Sequence, residues 1–174
     1  FYTLSLHDAL PISIYRPFNN IEEQNDWSLR TVEPGYVPYI KSTLNHPIGM
    51  DQLLDPLGGF FVNNSGMVDV AVLVSECKKY FKAQDSYIEW SVPSEALVME
   101  EEKIKLGPFV ADQIIFCEGP MAVKNPLWSD LKFRLVKGEI LDVSCRLTLD
   151  HVVSKGVFML PYKNYLRVGS TYDN

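Results

Sequence analysis

The sequence predicts an α+β fold, and three features predict it. Residues 69–83 place Val70, Leu73, Val74, Cys77, Tyr80 and Phe81 on one face at helical spacing, the period of an amphipathic helix. Short runs rich in β-branched and aromatic residues recur at 58–66, 87–92 and 113–116 and have the length and composition of strands. Two further runs, 156–162 and 165–171, flank Lys163 and Asn164, which reads as a β-hairpin closed by a tight turn.

Taken in chain order, residues 2–12, YTLSLHDALPI, look like the conceptual translation of a sequencing-adapter read fused in frame to a truncated gene. Residues 1–12 are therefore set apart from the fold. They are not a secretory signal, because no basic region precedes the apolar run, His7 and Asp8 interrupt it, and no cleavage site follows. From Ser13 a short apolar stretch reads as a strand. It passes through Asn19 and Asn20 into IEEQNDW, where an asparagine cap and early glutamates favour a helix start. Prolines at 34, 38, 47 and 56 make 31–59 irregular, with brief helical turns expected at 37–44 and 50–54. Such a segment forms either a site wall or an ordinary connection.

The run 58–66 is expected to be a strand and turn, with Asp69 capping the helix of 69–83 and its lysines near the positive-charge-favouring C-terminal end. Tyr80 and Phe81 read as core. After the helix come a strand at 87–92, a hairpin whose acidic turn at 100–102 is solvated, and a buried strand at 113–116.

Composition excludes several classes of function. At 174 residues, 47% hydrophobic and 22% charged, the chain has an ordinary globular mix. No apolar stretch approaches the roughly 20 residues of a bilayer span. A net charge of −6 with dispersed Lys and Arg argues against nucleic acid as a partner and favours small-molecule chemistry. Cys77, Cys117 and Cys145 are widely spaced, and the first two sit in apolar runs, so all three read as reduced and structural. His46 and His151 have no ligand neighbours at zinc spacing, so no metal site is expected. Asn63-Asn64-Ser65 matches a glycosylation acceptor, but without a sign of secretion a reducing, cytoplasmic setting is expected.

Three blocks, IIFCEG (114–119), LVKGEIL (135–141) and GVFMLPYKNYLRVGSTYDN (156–174), together resemble the middle-to-late part of FAD-dependent oxidases of the D-amino-acid oxidase and glycine oxidase family. Family members begin with a Gly-rich dinucleotide fingerprint, and no G-x-G-x-x-G occurs in this chain. The resemblance therefore implies an internal fragment without the N-terminal unit and the C-terminal part. It assigns 13–85 to a substrate-domain segment carrying one FAD-domain helix, 86–130 to the second part of the FAD-binding domain, and 131–174 to a return into the antiparallel substrate domain.

The resemblance also implies the site. The family's strand ends in a small-residue turn near the cofactor followed by a tryptophan, which maps to Cys117, Glu118, Gly119 and Trp128. A glycine at 119 is expected because backbone lies close to the cofactor there, and the Glu118 carboxylate should turn away from a pyrophosphate. Lys137 and Gly138 match the segment that passes the flavin ring, where a cation would stabilise the reduced form. Phe158 and Tyr162 stand where relatives carry a tyrosine and an arginine that hold a substrate carboxylate, and Tyr172 falls at a pocket-lining position. Those departures put a plain α-amino acid in doubt, while Arg167 is expected on a strand's outer face. The implied function is oxidation of an amine or amino-acid C–N bond by hydride transfer to flavin, with no side chain assigned as acid or base. The competing reading is a non-catalytic α+β module that uses the 31–59 region and aromatics to hold a ligand or protein.

Overall fold

Two stretches far apart in sequence form the centre of one sheet: β2 (Ile14–Pro17) lies parallel to β10 (Val152–Lys155), pairing Ile14 with Val152 and Tyr15 with Val153. In this computed structural model residues 9–93, 96–100 and 103–172 are described, the side chains of 9 and 10 excepted. The sheet has seven strands, adding β3 (Ile40–Leu44), β4 (Gly59–Val62), β9 (Ile140–Val143), β11 (Val157–Tyr162) and β12 (Tyr165–Gly169) in the order β3-β4-β2-β10-β11-β12-β9. Every pairing but β2 with β10 is antiparallel. A separate ladder joins β1 (Ala9–Pro11) to β5 (Gly66–Val68), so the end of the segment set apart on sequence grounds is paired with the chain that follows. With a three-stranded antiparallel sheet elsewhere, the fold is α+β.

The chain divides into two units, one running to Cys77 and resuming at Lys137, the other Lys78–Val136. In the first, alternation along the strands sorts residues onto two faces. Phe61, Tyr15, Val153, Met159 and Val168 stand in register across five strands. This inner face packs against Ile48, Met50, Leu53, Leu147 and Leu149 from the connecting loops. Each fully buried aromatic or aliphatic side chain contributes on the order of 1.5–3 kcal/mol. One charged residue is enclosed with them: Asp55, 2% exposed, accepts the Tyr15 hydroxyl at 2.6 Å and the Ile48 N–H at 2.9 Å. A buried carboxylate survives only with such partners.

Helix α1 (Ile21–Arg30) begins as its sequence requires. Asn20 accepts the Glu23 N–H at 2.8 Å, and Glu22 and Glu23 occupy the first turn. Its Trp27 lies 4.3 Å from Phe60 on the outer face of the sheet, and the Arg16 guanidinium stands 5.7 Å from the Trp27 ring. Helix α2 (Val70–Ala83) is capped by Asp69, whose Oδ1 accepts from Ala71 and Val72 at 3.1 and 3.2 Å. The hairpin of β11 and β12 turns at Lys163, whose φ of 55° closes the two-residue loop.

The unit Lys78–Val136 contains β6 (Leu97–Met99), β7 (Ile104–Leu106) and β8 (Phe109–Ala111). Trp90 stacks beside this sheet, 6.1 Å from Phe109 and close over Gly107, where a Cβ would come within 2.6 Å of the indole. None of this unit's described residues is buried.

Several expectations are corrected. The end of the 37–44 segment is not a helical turn but strand β3, because Ser42 to Leu44 find ladder partners on β4. Residues 87–92 and 113–116 are not strands, and Ile115 is 85% exposed rather than buried. Apolar composition alone does not supply a pairing partner. The apolar face of α2 is amphipathic as expected but has no buried residue, with Tyr80 and Phe81 42% and 46% exposed rather than in a core. Cys77 and Cys117 are likewise exposed, as is Cys145, and all three thiols are free. The hairpin around 100–102 forms, although 101 and 102 lie outside the described residues.

Candidate functional site

The outer face of the seven-stranded sheet carries an open groove of about 280 Å³. Its floor is Ile14 beside Val152. Phe158 stands opposite Ser154, Leu160 follows two residues along the same strand, and Met67 of β5 forms a wall. Phe158, Leu160 and Tyr162 alternate with residues of the inner face, so all three project from the same side of β11. Phe158 thus lines the groove.

Tyr162 lies on the same face but is engaged. Its hydroxyl donates to Asp69 Oδ2, and the Arg167 guanidinium lies over its ring at 4.5 Å. Asp69 therefore serves two elements at once, one oxygen for α2 and the other for Tyr162. The Tyr162 hydrogen bond, helped by the Val72 and Ala71 N–H groups and by Lys163, holds the Asp69 carboxyl below the usual range. The same bond raises the Tyr162 phenol. Arg167 projects on the outer face, as expected, and makes two bonds to Asp142 at 2.9 and 3.1 Å. That contact raises the guanidinium and lowers Asp142. Tyr172 is exposed.

Cys117, Glu118, Gly119 and Trp128 lie in the unit Lys78–Val136. Glu118 is turned onto its own neighbours. Asn125 donates to both its oxygens at 3.1 and 2.9 Å, and the Trp128 indole N–H donates at 3.2 Å. Phe116 meets Trp128 edge-on at 5.3 Å. Gly119 opens a 3-10 turn, Gly119–Lys124, with φ of 55°. A Cβ there meets no other atom of the chain within 4 Å, and the positive backbone angle favours glycine.

Lys137 and Gly138 belong to the other unit. Lys137 is exposed and pairs with Glu139 at 2.5 Å. At Gly138 a Cβ would stand 3.0 Å from the Thr171 carbonyl oxygen, beside the Glu139 N–H bond to Thr171 Oγ1.

Sequence reading passes over Asp69, Asp142, Ile14, Val152 and Met67 as groups around Phe158 and Tyr162. The alternation Phe158, Leu160, Tyr162 is visible in the sequence. The parallel pairing that brings Ile14 and Val152 beneath Phe158 has no local signal. Among the described residues no group of three or more His, Cys, Asp or Glu side chains could hold a metal. None of the helices among them is long and apolar enough to cross a membrane. No profile of a known protein family matches the chain, and no solved structure matches it.

Proposed function

We propose that this chain is part of an FAD-dependent oxidoreductase that oxidises the C–N bond of a small amine or amino acid, with the outer face of the seven-stranded sheet as the substrate-side wall. The observation that carries the reading is the position of Phe158. The residue aligned by resemblance with a substrate-contacting position lines an open groove, on the same sheet face as Tyr162. Two features of the other unit support a cofactor-side role. The Glu118 carboxylate is drawn onto Asn125 and Trp128, and Gly119 presents backbone with open space in front of it.

FAD, when bound, supplies the two-electron acceptor for the oxidation. This chain supplies an apolar wall against which the substrate is oriented. Lys137 is a candidate to stand near the flavin ring once Glu139 releases it. Three free thiols fit a reducing, cytoplasmic compartment.

The test is to extend the reading frame in its source DNA in both directions and express the product. The expected result is a strand, a G-x-G-x-x-G turn and a helix upstream, yellow flavin retained through desalting, and anaerobic bleaching by amines. An extended frame without that turn, or a folded product that holds no flavin, overturns the proposal.

A further inference from the structure

We draw no further inference here: the strongest candidate, the open apolar groove on the outer face of the seven-stranded sheet between Ile14, Met67, Val152 and Phe158, has no charged group in its lining to select an occupant, and nothing in the structure shows what covers it.

Discussion

Tyr162 on β11 donates its hydroxyl to Asp69, the residue that caps helix α2, across 93 positions of sequence. A strand of the main sheet is thereby tied to a helix start through one carboxylate. The bond lowers Asp69, so its stabilisation is present above the ordinary carboxylate range and is lost as pH falls through the lowered folded value. It raises Tyr162, so that contribution is present below the ordinary phenol range, near 10, and is lost as pH rises through the raised folded value. Tyr162→Phe should therefore bring the Asp69 carboxyl back toward its usual titration range. It should also flatten the alkaline fall in stability, as read by carboxyl ¹³C titration and urea unfolding across pH.

His151 meets Tyr15 and Phe61 edge-on at 5.9 and 5.4 Å, and its Nε2 is buried without a hydrogen-bond partner. Burial lowers its pKa despite Asp150 nearby. The neutral ring is the folded form, so stability is full above the ordinary histidine value of about 6.5 and falls as pH drops below it toward the lowered folded value. His151→Phe should keep the ring contacts and remove that fall, with urea midpoints at pH 7.5 and 5 nearly equal where the unsubstituted chain loses stability.

Removing the Tyr15 hydroxyl leaves Asp55 buried with one fewer donor. Tyr15→Phe should cost about 1–3 kcal/mol in urea unfolding, although the ring still fills its place. Equal stability would mean that water has taken the hydroxyl's role.

Phe60 is 2% exposed and touches both Trp27 and Phe18. Phe60→Ala should cost about 3–5 kcal/mol and shift Trp27 emission to the red as water reaches the indole. Ile115→Ala, at a site 85% exposed, should change stability by less than about 0.5 kcal/mol.

The unit Lys78–Val136 has no buried residue among those described, and local stability follows buried apolar contact. Amide hydrogen exchange should be fastest in β6, β7, β8 and the 3-10 turns, and slowest in β2, β10 and β12. Matching protection in both units would contradict the difference in packing.

Much of the chain's local grammar is legible without coordinates. The Asn20 cap with Glu22 and Glu23, Asp69 before Val70, and the Lys163-Asn164 turn between two apolar runs all form as read. Each depends on hydrogen bonds or backbone angles within a few residues. The same holds for Arg167 facing away from the core, since alternation on a strand requires only its neighbours.

Burial and pairing are different, because they depend on which distant surfaces meet. Ser42 to Leu44 become strand since β4 offers a ladder, whereas the apolar run 113–116 finds no ladder partner among the described residues and stays irregular. The apolar stripe of α2 is real, yet periodicity describes a helix's faces without supplying what covers them. The groove exists because β2 and β10 lie parallel at the centre of the sheet. The Tyr162 hydroxyl proton is committed to Asp69 because folding brings that carboxylate to it. Short-range chemistry is thus written in adjacent residues, while the commitment of each functional group is set by contacts between residues that only the folded chain brings together.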